Sequence, residues 1–322
     1  MNEQAILKAY EIARERYAEL GVDTEKIMQQ MQDFHLSMHC WQADDVTGFE
    51  NQGPLTGGIQ CNGNYPGKAN DIDQLRQDLL YAMSLIPGKH RLNLHEIYGD
   101  FKGKKVDRNE VTPEYFESWI QWGTQHDVKL DFNSTSFSHP KSGDLTLANP
   151  DKGIRDFWVE HSMRCREIAQ AIGAAQHDPC ILNTWVHDGS KDLTVCRYYY
   201  RELLKESLDR IFEHPYDWMK DTVESKVFGI GLESYTAGSN DFYTAYASKR
   251  DMMITLDTGH FHPTESVADK VSAMLLFVPE LMLHVSRPVR WDSDHVTIMD
   301  DPTLDLFSEI VRAGALNRVH YG

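Results

Sequence analysis

Residues 252–288, MMITLDTGHFHPTESVADKVSAMLLFVPELMLHVSRP, contain two strand-like apolar runs with a helical stretch between them. Met252–His260 and Leu281–Pro288 have the composition of strands, and Glu265–Phe277 has the periodicity of the connecting helix. A strand, a helix and a second strand at this spacing are typical of a parallel βαβ unit. The first run ends in acidic and imidazole side chains and the second contains His284, so the same unit carries candidate chemistry.

The same alternation of strands and helices extends over most of the chain. Further strands are predicted at Phe34–Trp41, Arg91–Tyr98, Val128–Phe137, Cys180–Val186, Val227–Ser234 and Asn317–Tyr321. Further helices between them are predicted at Ile72–Ile86, Pro113–His126, Ile154–Ala174, Val195–Glu224, Asp241–Lys249 and Leu304–Ala313. Eight strands alternating with helices predict an α/β fold, a (β/α)8 TIM barrel.

An open, doubly wound sheet is the alternative arrangement of such units. That fold usually carries a Gly-rich phosphate loop after an early strand, and neither GxGxxG nor GxxxxGK[ST] occurs in the sequence. We therefore expect an N-terminal helical extension over residues 1–30 and the barrel over residues 31–322.

A long Gly-rich loop, residues 43–71, follows the first predicted strand. Loops of this length without regular structure are usually functional or disordered. In a barrel this loop lies at the C-terminal mouth, where two interpretations stay open: a mobile lid over the site, or a passive excursion.

Composition excludes several classes of partner. The 322 residues include 32 Lys and Arg against 49 Asp and Glu, a net charge of −17 at pH 7. That charge opposes polyanions, so we expect no nucleic-acid and no membrane partner, and no apolar run approaches the length of a membrane span. Five cysteines without a CxxC motif, and an N-terminus unlike a signal peptide, predict a reducing, cytoplasmic location.

Acidic and histidine side chains end three consecutive predicted strands, at the barrel end where catalytic groups lie. They are Glu233, Asp257, His260, His284, Asp292 and Asp294. This set of oxygen and imidazole donors suits Mn²⁺, Mg²⁺, Co²⁺ or Zn²⁺ and does not suit an Fe–S cluster.

The spacing of these residues favours metal binding over a structural role. Asp292 and Asp294 point the same way in an extended segment, and adjacent like charges are costly unless a cation neutralises them. Up to six ligands suffice for one or two ions. Taken singly, an Asp or His at a strand end more often caps a helix or is solvated, so the clustering carries the prediction. His262 and His295 are expected not to be ligands.

Aromatic and imidazole rings also fall at predicted strand ends. They are Trp41, His95, Phe137 and Trp185. Such rings stack on the apolar face of a sugar, but they are equally ordinary as pocket packing, and both interpretations stay open here.

Several long motifs resemble the bacterial L-rhamnose isomerase family. They are MHCWQADDVTGFE, LTGGIQ with GNYPGKA, RLNLHEIY, LDFNSTSFSHP, GIGLESYTAGSNDFY, LDTGHFHPTE and LHVSRPVRWDSDHV. The resemblance implies a xylose-isomerase-type barrel that interconverts L-rhamnose and L-rhamnulose with Mn²⁺, as a cytoplasmic homotetramer when full length.

The resemblance also assigns roles to the candidate residues. It implies that His260, Asp292 and Asp294 bind a catalytic ion. It implies that Glu233, Asp257 and His284 bind a structural ion, with Glu233 also counted among the catalytic groups. The sugar is expected to lie among Trp41, His95, Phe137 and Trp185.

One departure separates the chain from xylose isomerases, which carry a lysine shortly after the strand-five glutamate. No lysine follows Glu233 before Lys249, so we expect the metal alone to polarise the sugar carbonyl. The reaction is either a metal-assisted hydride shift or an enediol proton transfer. The alternatives are a related isomerase with another aldose preference, a metal phosphodiesterase that the acidic charge disfavours, and an inactive metal- or sugar-binding chain.

The resemblance further implies that the family continues beyond residue 322. An acidic segment there supplies a fourth ligand of the structural ion, followed by the eighth helix and a C-terminal region. We therefore expect this sequence to be truncated, with three protein ligands at that ion and with weak ion binding.

Overall fold

Eight parallel strands form the central sheet of the protein. The computed structural model describes residues 2–39, 48–50, 69–192, 194–226, 235–262, 264–286 and 297–322. The sheet has the order β1-β2-β3-β4-β6-β8-β9-β10. Its strands are β1 (Ser37–His39), β2 (Arg91–His95), β3 (Lys129–Asn133), β4 (Cys180–Thr184), β6 (Met219–Glu224), β8 (Met253–Asp257), β9 (Leu281–His284) and β10 (Val319–Tyr321).

The sheet curves until its two edge strands meet. Each strand pairs in parallel with the next one along the sheet. A parallel bridge between Leu36 and Tyr321 joins the segment of β1 to β10. This confirms the (β/α)8 architecture, in which parallel strands need crossover helices between them.

Helices cross over between successive barrel strands and cover the outside of the sheet. They are α3 (Ile72–Ser84), α4 (Glu117–His126), α5 (Lys152–Gln176), α6 (Arg197–Ile211), α7 (Asn240–Arg250), α8 (Val267–Met274) and α9 (Asp301–Arg312). Side chains of Asp71, Asp151, Ser239 and Asp300 accept hydrogen bonds from the first turns of their helices. Such N-caps fix where each helix begins.

Two short antiparallel strands lie beyond the carboxyl ends of the barrel strands. They are β5 (Gly189–Ser190) and β7 (Tyr235–Thr236).

Two helices precede the barrel, α1 (Glu3–Glu19) and α2 (Thr24–Met31). Neither helix buries a residue, and the Tyr10 hydroxyl of α1 donates a hydrogen bond to Glu25 of α2. The division at residue 30 into extension and barrel stays a prediction. None of the helices described is long and apolar enough to span a bilayer.

The prediction for the fifth barrel strand was wrong in position. The helix predicted over Val195–Glu224 ends at Ile211, and strand β6 occupies its last six residues. Pro215 explains the early end, because a proline disfavours helical backbone in the residue before it and cannot continue a helix. The strand predicted at Val227–Ser234 lies outside the described residues.

Inward and outward side chains alternate along the strands and divide the core in two. On β8, Ile254 and Leu256 join the apolar layer under the helices. Met253 faces the barrel interior with side chains from other strands, and Thr255 contacts Thr222 of the neighbouring strand there. The strand alternation thus delivers Asp257 to the interior at the carboxyl end.

Candidate metal centre

Three donor side chains converge at the carboxyl ends of neighbouring strands. Glu224 ends β6, Asp257 ends β8 and His284 ends β9. One ligand atom from each lies within 4.8 Å of the other two. His284 Nδ1 is 3.2 Å from Glu224 Oε1 and 3.9 Å from Asp257 Oδ2. We call these three residues the carboxylate–imidazole cluster.

His260 lies against the same cluster, in the turn that follows β8. Its Nδ1–H donates to the carbonyl oxygen of Ser225 at 2.9 Å, and its Nε2 lies 3.8 Å from Asp257 Oδ2. A hydrogen bond at one ring nitrogen sets the orientation of the imidazole and the position of its proton. The backbone therefore orients His260 for a role beside the cluster.

The buried carboxylates of the cluster are stabilised by positive charge beside them. Burial raises the pKa of Asp257, and the neighbouring carboxylate of Glu224 adds to that rise. Burial acts the same way on Glu224, but His284 and His260 outweigh it and hold the pKa of Glu224 well below its usual value. Burial alone lowers the pKa of His260, yet Asp257 and Glu224 bring it to about 9. Two buried carboxylates thus draw protons onto the imidazoles beside them.

The donor set fits a divalent ion. Carboxylate oxygens and imidazole nitrogen are ligands of Mn²⁺, Co²⁺, Zn²⁺ and Mg²⁺, and the three atoms lie close enough to share one ion. An ion there replaces the protons that otherwise balance the carboxylates. In the described part of the chain, neither Glu224 nor Asp257 forms an ion pair with Lys or Arg.

The structure brings together only some of the residues predicted from the sequence. Asp257, His260 and His284 meet at the carboxyl end of the barrel. Glu233, Asp292, Asp294, Trp41 and most of the loop at residues 43–71 lie outside the described residues. Their roles stay predictions.

Glu224 is the acidic residue that the sequence analysis missed. It ends β6, the fifth barrel strand, and supplies the second carboxylate of the cluster, the position that the prediction assigned to Glu233. A short signal was present, because Met219 and Val223 share one face of an extended run whose last residue is a glutamate. The polar composition of that run concealed it.

Lys226 follows Glu224 by two residues and corrects a second expectation. Its buried side chain donates from Nζ to the His187 carbonyl at 2.6 Å and lies 5.3 Å from the Trp185 ring centre. The expectation that no lysine follows the strand-five glutamate was wrong for this strand end. A cation therefore lies at the barrel mouth near the cluster.

Rings form one side of the mouth beside the cluster. The Trp185 ring lies 6.0 Å from Phe137 and stacks at 6.5 Å on His260. His95 Nδ1 lies 3.2 Å from the Thr135 hydroxyl. The centre of the His95 ring lies 5.9 Å from the centre of the Tyr98 ring. Three of the four predicted sugar contacts thus lie at this mouth, and their contact with a sugar stays a prediction.

Comparison with known proteins gives one consistent result. Residues 4–322 match the family described as L-rhamnose isomerase. An L-rhamnose isomerase from Bacteroides thetaiotaomicron is 74% identical over 321 residues, covering 99% of this chain and 77% of that relative. One from Rhodopirellula baltica is 54% identical, covering 98% and 75%, and one from Pectobacterium carotovorum is 53% identical, covering 98% and 76%.

Solved structures agree on the fold. A D-tagatose 3-epimerase-like protein superposes with a TM-score of 0.55 at 14% identity, covering 78% of this chain and 86% of that one. An L-ribulose 3-epimerase superposes with a TM-score of 0.54 at 8% identity, covering 89% and 80%. At these identities the likeness supports the barrel architecture alone.

Proposed function

This chain belongs to the L-rhamnose isomerase family, and we propose that Glu224, Asp257 and His284 hold the divalent ion of its sugar isomerisation. The enzyme interconverts L-rhamnose and L-rhamnulose. The observation that supports the ion assignment is the convergence of three donors at three strand ends. Glu224 here takes the role that the sequence analysis gave to Glu233.

The reaction exchanges the oxidation levels of two sugar carbons. Hydrogen moves from C2 to C1, and a proton moves from the C2 hydroxyl to the C1 oxygen. A bound divalent ion supplies Lewis acidity toward the sugar oxygens. The ammonium group of Lys226 stabilises negative charge that develops on a sugar oxygen at the same mouth. The rings of Trp185 and Phe137 cover the apolar face of the sugar and exclude water.

Two routes for the hydrogen fit these residues. In a hydride shift it passes directly from C2 to C1, whereas in an enediol route a carboxylate or histidine base removes it as a proton. L-Rhamnose labelled with deuterium at C2 separates them. Deuterium retained at C1 of the product supports the hydride shift, and complete loss to solvent supports the enediol.

We propose Mn²⁺ as the ion in the carboxylate–imidazole cluster, with Co²⁺, Zn²⁺ and Mg²⁺ as alternatives of similar ligand preference. A second ion is proposed at His260 with Asp292 and Asp294. His260 supports that role because its Nδ1–H donates to the Ser225 carbonyl, which fixes the orientation of the imidazole beside the cluster. The two aspartates enter this proposal from the sequence alone.

Assembly, location and sugar preference are proposals drawn from the family resemblance and the composition. We propose a cytoplasmic homotetramer, which sedimentation equilibrium tests directly through the mass of the assembly. A related isomerase with a different aldose preference is the second candidate. Comparing kcat/KM for L-rhamnose and its epimers decides between them, because an isomerase of another aldose prefers one of the epimers.

Glu224→Gln tests the ion assignment with little change in side-chain shape. The variant removes one negative ligand, so we expect Mn²⁺ affinity to fall by about 100-fold or more and L-rhamnose turnover to fall with it. Glu213→Gln is the matched control, because that glutamate is exposed in the turn before the same strand. Equal Mn²⁺ affinity in the two variants contradicts the assignment.

A further inference from the structure

We propose that Asn183, together with Thr255 and Thr222, forms a directional hydrogen-bond chain that positions Glu224 for the ion. This inference rests on the proposed metal role of Glu224. All three residues are buried in the barrel interior, with exposed fractions of 2% for Asn183 and 0% for each threonine. They come from three neighbouring strands, β4, β6 and β8.

The contacts run without a break from the middle of the barrel to the cluster. The hydroxyls of Thr222 and Thr255 lie 2.8 Å apart. The Thr255 hydroxyl lies 3.0 Å from Asn183 Oδ1, and Asn183 Nδ2 lies 2.5 Å from Glu224 Oε2. Each residue therefore contacts the next, and the last contact reaches a proposed metal ligand.

Only one arrangement of protons satisfies all three contacts. An ionised carboxylate accepts and cannot donate, so the amide of Asn183 turns its NH₂ group toward Glu224. Its oxygen then faces Thr255, which must donate its single hydroxyl proton to it. Thr222 must in turn donate to Thr255. Every donor in the chain thus points toward the carboxylate, an arrangement in which each hydrogen bond polarises the next.

The hydrogen-bond chain gives the two carboxylate oxygens of Glu224 different partners. Oε2 is committed to Asn183, whereas Oε1 lies 3.2 Å from His284 Nδ1 and 3.2 Å from His260 Nδ1. The oxygen left facing the cluster is the one available to an ion. Hydrogen bonds of this kind orient ligands, and their loss typically lowers metal affinity by about 10- to 100-fold.

A purely structural role is the competing explanation, because buried threonines and asparagines also stabilise a barrel interior. The two explanations differ in what they predict for conservative substitutions. A structural network loses stability when any member is replaced, and metal affinity of the folded protein stays the same. A positioning chain loses metal affinity even in variants that remain fully folded.

The experiment measures Mn²⁺ affinity by titration on the 322-residue protein, with urea unfolding to confirm that each variant is folded. Asn183→Leu removes the donor to Glu224, so we expect Mn²⁺ to bind about 10- to 100-fold more weakly. Thr255→Val removes one neutral hydrogen bond farther away, and we expect a loss of about two- to tenfold. Thr255→Ser keeps the hydroxyl and is expected to bind Mn²⁺ like the unmodified protein.

Ser207→Ala is the matched control, since its buried hydroxyl donates to the Leu147 carbonyl in the outer layer. It is expected to lose stability without losing Mn²⁺ affinity. Unchanged affinity in folded Thr255→Val and Asn183→Leu, beside weakened affinity in Glu224→Gln, overturns the positioning chain and leaves the metal assignment standing. Unchanged affinity in Glu224→Gln overturns both.

Discussion

The two ends of the barrel both bury carboxylates, but they balance the charge in different ways. At the amino end, Asp131 accepts hydrogen bonds from Arg91, the Ser37 hydroxyl and the Ile181 amide. At the carboxyl end, Glu224 and Asp257 face imidazoles, and among the described residues no Lys or Arg pairs with them. The charge at the amino end is balanced by the fold itself, whereas we propose that a cation balances it at the carboxyl end.

The pKa values of the two aspartates express this difference. Asp131 is fully buried, yet Arg91 outweighs the effect of burial and holds the pKa of Asp131 below its usual value. Burial dominates at Asp257, and its pKa is raised despite His260 and His284. Removing one partner of a buried ion pair is strongly destabilising, and a buried charge that is incompletely paired costs stability. The incompletely paired carboxylates therefore lie at the end of the barrel where we propose that the ion binds.

Asp257→Asn is expected to have the largest effect at the carboxyl end. It removes a charged ligand, so L-rhamnose turnover should fall by about 1000-fold or more because the ion no longer binds. The metal-free variant should unfold at an equal or higher urea concentration than the unmodified protein, since one of two neighbouring buried carboxylates is gone. Turnover and urea midpoints measure the two effects.

Asp131→Asn makes the same substitution at the amino end and should act in the opposite sense. It leaves Arg91 without its main partner, and breaking a buried pair typically costs about 3–5 kcal/mol of unfolding free energy. Arg91 keeps its contact with Asp178, which places the expected loss near the lower value. Urea unfolding without metal checks it, and a midpoint equal to that of Asp257→Asn contradicts the comparison.

Two lysines, one in the first half of β6 and one two residues beyond its last residue, allow a second test of the same contrast. Lys226→Met, at the carboxyl end, is expected to lower kcat by about 100-fold, the typical cost of losing one group that stabilises transition-state charge. Lys220→Met, at the amino end, loses an ion pair with Glu280 in which both side chains are partly exposed. That loss should cost about 0.5–1 kcal/mol of stability and leave kcat unchanged. Equal kcat values in the two variants contradict the role given to Lys226.

The smallest expected effect is an acid-dependent loss of stability at the amino end. The hydrogen bond from His320, together with Lys220, outweighs burial and lowers the pKa of Glu280 from 4.5 to about 2. A lowered pKa contributes stability that is present above pH 4.5 and is lost as the pH falls toward 2. Glu280→Gln should therefore flatten the pH dependence of unfolding over that range. A curve unchanged in shape contradicts this.

The sequence predicted the barrel well because its signals are local. Strands β8 and β9 show apolar runs that end in Asp257 and His284, and both lie where they were predicted. Alternation and strand ends follow from neighbouring residues alone. The same signals identified two of the three members of the carboxylate–imidazole cluster.

The sequence prediction misplaced strand β6 because polar residues of this strand are paired through contacts with residues distant in sequence. Asp221, near its middle, forms a two-oxygen ion pair with Arg166 of helix α5, which is 55 residues away in sequence. An aspartate whose partner lies on a distant helix resembles a surface residue in the sequence, so the run was assigned to a helix. Glu224 was missed for that reason, and Lys226 with it.

Anomalous diffraction from crystals of the protein grown with Mn²⁺ tests whether Glu224, Asp257 and His284 hold the ion. We expect a manganese peak at about 2.0–2.3 Å from ligand atoms of Glu224, Asp257 and His284 together. We also expect this peak to be absent in crystals of Asp257→Asn under the same conditions. A peak that contacts none of these three side chains, or a peak of equal height in the variant, contradicts it.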